Sequence, residues 1–143
     1  MSKRKYEPTC LPTAIGSLPH SDPQQATDLV LRYLPSLPAW PQLPKRSFLE
    51  SMYVQFTAGL PGLQVEADRI FVDLAQDIDE TLRNLLQDYE AKADHKYALG
   101  KNYAAGLHAF LAARLGSPRA VKWHITGPIS CGLSITDADR RPI

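Results

Sequence analysis

Cysteine is nearly missing from this chain of 143 residues: Cys10 and Cys131 are the whole complement. Two distant thiols without a repeating frame exclude a disulfide scaffold and fit a reducing compartment, so the cytoplasm is the expected location. Long apolar runs are lacking too, and no window approaches the ~20 residues of a transmembrane helix. Charge of one sign is also lacking. Sixteen Lys and Arg face fifteen Asp and Glu, a formal net charge of +1, which excludes the electrostatic footprint of a nucleic-acid or anionic-membrane binder. The run Lys3-Arg4-Lys5 leads into Tyr6-Glu7-Pro8 and not into an apolar stretch. It reads as a solvated tail and not as a signal peptide.

What is present is a globular composition, 44% hydrophobic and 22% charged, of a length that suits one domain over residues 1–143. Proline is plentiful, and Pro35, Pro38, Pro41 and Pro44 fall within ten residues of the stretch LPSLPAWPQLP. Before it stands 13-TAIGSLPHSDP-23. Thr13, Ala14 and Ile15 read as the end of a buried strand. Gly16 permits a turn that a side chain would forbid, Ser17 can present a hydroxyl, and Ser21-Asp22-Pro23 reads as a helix cap with proline in the first turn.

Periodicity supplies the rest. Ala26, Leu29, Val30, Tyr33 and Leu34 predict a helix over about 23–34. Trp40–Leu43 predicts a short strand, with Pro41 removing one ladder donor. Ser47-Phe-Leu-Glu50 fits a capping box and predicts a helix to about Thr57. Leu63–Glu66 and Arg69–Asp73 predict a hairpin. Asp77 opens a helix whose buried face is Ile78, Leu82, Leu85, Leu86 and Tyr89. A further helix carries Tyr103, Leu107, Phe110, Leu111 and Leu115 and closes on Gly116 as its C′ residue. Ala120–Thr126 predicts a strand with Val121, Trp123 and Ile125 on one face and Lys122, His124 and Thr126 on the other. Strands near 13, 42 and 123 alternating with helices predict parallel βα units, about three units of a (β/α)₈ barrel with an inserted hairpin. A closed barrel takes ~250 residues, so the barrel is expected to be incomplete in this chain.

Three segments carry a family resemblance. TAIGSLPHSDP resembles the segment that opens the catalytic barrel of cobalamin-independent methionine synthase, and HITGPIS resembles the one that ends that barrel's third strand. Between them, 42-QLPKRSFLESMYVQF-56 resembles the second strand exit and helix of methionine-synthase-like proteins, whose superfamily includes uroporphyrinogen decarboxylase. The resemblance spans most of residues 12–137. It implies methyl transfer to a thiol such as homocysteine, in methionine biosynthesis, from a folate or a corrinoid donor. It further implies a zinc ion in the complete barrel that activates the thiolate. It assigns the amino-acid end of the substrate to Ile15, Gly16 and Ser17, where donors after a parallel strand suit a carboxylate, and it sets Thr126 and Gly127 on the barrel rim.

Two departures stand beside the resemblance. The family ends its second strand with a carboxylate that grips the substrate amine, whereas Gln42 stands at the comparable place here. The family's zinc ligands lie in later strands. His20, His95, His108 and His124 share no close ligand spacing with each other or with the two cysteines. The expected site is therefore Ile15, Gly16, Ser17, Gln42, His124 and Thr126, with no catalytic residue and no metal ligand. His124, on the polar face of its strand, is the acid-base or hydrogen-bonding candidate. His108, on a helix between Leu107 and Phe110, reads as structural, His20 as a surface residue, and 137-DADRR-141 as a solvated loop. The expected activity is that of an N-terminal methyltransferase segment, inactive alone and prone to self-association. Two alternatives are a non-catalytic association module and a uroporphyrinogen decarboxylase-like enzyme. The arginine signature of the latter is missing, because no Arg lies between Lys5 and Arg32.

Overall fold

In the computed structural model, which describes residue 7 and residues 9–143, the chain is a small α/β structure. Its elements are α1 (Pro23–Tyr33), β1 (Leu63–Val65), β2 (Ile70–Val72), α2 (Asp79–Glu90), α3 (Ala105–Ala112), α4 (Pro128–Ser134) and β3 (Thr136–Asp137), with 3₁₀ turns at Phe48–Glu50 and Asp94–Tyr97. The Lys3-Arg4-Lys5 run lies outside the described residues.

Helix α1 forms as its sequence predicts. The Asp22 carboxylate accepts from the backbone N–H groups of Gln24 and Gln25, and Pro23 occupies the first turn, where its missing N–H costs nothing. Ala26 and Val30 turn inward. Val30 joins Trp40, Ala104, Leu107 and Phe110 in the larger of two apolar clusters among the described residues. α3 lies so close to the second extended segment that a Cβ on Gly106 would sit 2.1 Å from the Pro41 carbonyl oxygen. Only glycine permits that approach.

The hairpin also forms, with Leu63 opposite Val72 and Val65 opposite Ile70. β3 then adds to β2 in parallel, giving the order β1-β2-β3. Ile70, Val72, Val54 and Ile135 make the second cluster. Neither α4 nor β3 is expected from apolar periodicity. The Gly127-Pro128 step was the legible signal for α4, since proline at the first helical position starts a helix.

The three expected parallel strands are extended segments joined by single bridges and not a regular sheet. Ser17 bridges Gln42 and Ala39 bridges Lys122, both in parallel. The first, second and third segments are therefore neighbours in chain order. Pro38, Pro41 and Pro44 explain the missing ladder, because each withholds an N–H from the middle segment. Ile15 departs from the buried position expected of it and is 82% exposed, since a single bridge at Ser17 secures the backbone without covering this side chain.

Three helix expectations are corrected. Ser47 does cap, accepting from the Leu49 N–H, but Glu50 turns to Arg46 at 2.8 Å instead of back to Ser47. The turn ends at once, with Ser51 extended. Helix α2 forms, yet no residue of it is buried: its apolar stripe asks for a cover that the described residues do not supply. α3 stops at Ala112, so Leu115 lies beyond it, and Gly116, although left-handed at φ +67°, is not its C′ residue. The chain is drawn out of the helix to place Arg119, whose N–H donates to the Ser36 carbonyl at 3.0 Å.

Candidate functional site

The turn after the first segment is held from both sides. The Gln42 N–H donates to the Gly16 carbonyl and the Leu18 N–H donates to the Gln42 carbonyl, each at 2.9 Å. Gly16 adopts φ +134°, and a Cβ there would lie 2.5 Å from Cε1 of His124. The turn therefore needs glycine for its backbone angle and for its neighbour.

Behind the turn runs a buried chain of amides. The Ser17 hydroxyl reaches Oε1 of Gln42 at 3.4 Å, the long end of a hydrogen bond. The Gln42 amide donates to Oε1 of Gln55 at 2.6 Å, and the Gln55 amide donates to the Tyr103 carbonyl at 2.7 Å. Gln42 is 3% exposed and Gln55 not at all. A neutral amide at position 42 now has its reason. Gln55 receives a donated hydrogen from it, and a carboxylate has none to give.

The third segment supplies His124, Lys122 and Thr126. The His124 ring stacks on Trp40, centroids 4.1 Å apart and planes 14° apart. Both of its ring nitrogens are buried without a hydrogen-bond partner among the described residues. Burial, with the Lys122 charge as a second cause, pushes its pKa down from 6.5 to about 4, so the ring is neutral at pH 7. The Lys122 ammonium donates to the Ala14 carbonyl at 2.6 Å, crossing to the first segment. The Thr126 hydroxyl donates to the Met52 carbonyl.

These groups border a cavity of about 180 Å³ lined by Ile15, Gln42, Met52, Phe56, Lys122, His124, Ile125 and Thr126. Four of the six residues expected from the sequence thus share one cavity, and Gly16 and Ser17 adjoin it through His124 and Gln42. Lys122, Gln55 and Trp40 are not among the site residues expected from the sequence. A glutamine within the apolar run 52-MYVQF-56 was the available signal for Gln55. A neighbouring apolar cavity of about 310 Å³ shares Phe56, His124 and Ile125 with the first and adds Trp40, Leu99, Leu107 and Trp123.

The other expectations sort plainly. His108 is structural, its Nε2 donating to the Leu99 carbonyl at 2.8 Å. His20 is partly exposed, with its Nδ1 buried. Residues 138–141 are exposed as expected, but Asp137 belongs to β3, and the Asp137 and Arg141 backbones pair across the turn. A larger cleft of about 420 Å³ lies between the first 3₁₀ turn, β2 and β3, away from every residue the resemblance assigns. Among the described residues no group of three or more His, Cys, Asp or Glu converges on a common point. These residues therefore do not fit the zinc ion that the resemblance implies. Among them, too, no helix is long and apolar enough to cross a membrane. No family model, curated protein or solved structure matches the chain.

Proposed function

We propose that the chain forms the first three βα units of a methionine-synthase-like barrel and that the cavity beside Gly16, Gln42 and His124 receives the amino-acid end of a thiol substrate such as homocysteine. The supporting observation is the convergence of three separate segments, in parallel and in chain order, on one cavity bordered by the residues that the resemblance assigns. Ligand sites of parallel α/β folds lie at the carboxyl ends of such segments. The cavity's polar wall offers the Gln42 amide, the His124 imidazole and the Lys122 ammonium, a set suited to a carboxylate, and the Ser17 hydroxyl adjoins it through Gln42. The reaction this reading implies for a methionine-synthase-like barrel is methyl transfer from a folate or corrinoid donor, and the chain as given is expected to bind without transferring.

Calorimetry tests the reading. Homocysteine is expected to bind the purified chain, and 2-mercaptoethanol, which has no carboxylate, is expected not to bind measurably. Ser17→Ala should keep the fold and weaken homocysteine roughly 5- to 150-fold, the equivalent of about 1–3 kcal/mol for a hydrogen bond to a charged group. Equal binding of the two thiols, or no binding of either, would overturn it.

A further inference from the structure

His124 is the least satisfied side chain of the cavity. An imidazole carries two hydrogen-bonding nitrogens, and buried polar atoms almost always find partners. Here both nitrogens are buried and neither has a partner among the described residues, while the ring lines the cavity and is braced from behind by Trp40. Gly16 stands against its edge with no side chain to fill the space. The ring is held in place, and what it lacks is something to bond.

We propose that His124 and Lys122 together bind a ligand carboxylate, and that His124 takes up one proton from solvent as the carboxylate enters. The inference rests on the reading of the cavity given above and deepens it, by naming the group that grips the carboxylate and the proton that travels with it. The charges around the ring favour this linkage. Lys122 is the one charged side chain acting on the imidazole among the described residues. The neighbouring segments bring Gly16 and Ser17, Trp40 and Gln42, Met52 and Phe56, with no carboxylate among them. A neutral ring beside an ammonium gains no charge unaided. An entering carboxylate reverses the balance, because an opposite charge within hydrogen-bonding reach favours the imidazolium. Lys122 can join in without releasing the Ala14 carbonyl, since one of its three donors makes that bond.

The sign of the pH dependence follows. Before binding the ring is unprotonated at neutral pH and the complex holds one proton more, so affinity rises as pH falls below 7. The rise ends where the free ring, near pH 4, or the free carboxylic acid, whichever is the weaker acid, already holds its own proton.

Butyrate, a carboxylate with neither amine nor thiol, is the probe, with homocysteine beside it. Each is titrated by calorimetry at pH 7 in two buffers of different ionisation heat, which reads the protons taken up per ligand bound. Uptake approaching one proton is expected for both. The His124 ring proton signals, followed by NMR across pH with and without butyrate, should show the ring titrating at higher pH when butyrate is bound. His124→Phe keeps the stack on Trp40 and should weaken butyrate roughly 10- to 100-fold while abolishing the proton uptake. His124→Gln keeps a donor and should recover part of the affinity with no uptake. Butyrate binding with uptake while homocysteine fails would sink the amino-acid reading and leave this inference standing. Homocysteine binding with no proton exchanged would overturn the inference and leave that reading standing. A ring titration unmoved by bound butyrate would overturn it as well.

Discussion

Gly16 and His124 lie 108 positions apart in the chain and share one small volume: a Cβ on Gly16 would stand 2.5 Å from Cε1 and 2.8 Å from Nε2 of the imidazole. The contact joins the first segment to the third across the one between them. Gly16→Ala should therefore cost about 2–4 kcal/mol, combining strain at φ +134° with overpacking against the ring. The two causes separate in a double-mutant cycle by denaturant unfolding. In a His124→Ala background the cost of Gly16→Ala should fall by about 1–3 kcal/mol, leaving the backbone part. Strict additivity would show that the two residues do not touch.

The buried amide chain predicts an asymmetry between two substitutions. Gln55→Leu strands the Gln42 amide and the Tyr103 carbonyl and should destabilise by about 2–4 kcal/mol. Gln42→Glu restores the acid typical of the resembled family but sets a buried acceptor against Oε1 of Gln55. Its loss should be at least as large at pH 7 and should shrink as pH falls, because a protonated carboxyl group can donate again. Chemical denaturation at pH 7 and pH 5 checks both. A Gln42→Glu variant as stable as the parent at pH 7 would show that the amide chain is not needed.

His124 also predicts how stability depends on pH. Its folded pKa of about 4 lies below the ordinary 6.5, so between those values the unfolded chain binds more protons than the folded one. The contribution is complete above about pH 6.5, declines as pH falls through the window, and is fully lost near pH 4. His124→Phe removes it, and the stability difference between parent and variant should change by on the order of 1–2 kcal/mol from pH 7 to pH 4, allowing for the ring's partial exposure. A difference constant with pH would contradict this assignment.

Uncovered apolar side chains predict association. Trp123 is 58% and Ile125 77% exposed, Ile129 and Leu133 are exposed on α4, and Leu82, Leu86 and Tyr89 on α2. Large apolar side chains left in solvent on three segments drive self-association. Sedimentation should show a mass that rises with concentration, and Trp123→Lys with Ile125→Lys should suppress the rise. A monomer at every concentration would refute it.

Local chemistry was legible from the sequence wherever its cause is local. The Asp22-Pro23 start of α1, the hairpin at 63–73 and the glycine-dependent turn at Gly16 each follow from residues within a few positions of one another. The candidate site was legible in part, because Gly16, Ser17, Gln42, His124 and Thr126 carry polar or permissive groups at segment ends. Which side of each segment is covered was not legible. Alternation along 120–126 marks two faces, but the burial of His124 depends on Trp40 and Gly16, which come from distant chain. The amphipathic stripe of α2 likewise specifies a face and not a partner. Ser47 and Glu50 match a capping box, yet Glu50 pairs with Arg46 and the helix never extends. Periodicity and capping are energies of neighbouring residues, whereas burial and the Gln42–Gln55 bond depend on distances across the chain, and only the folded structure sets those distances.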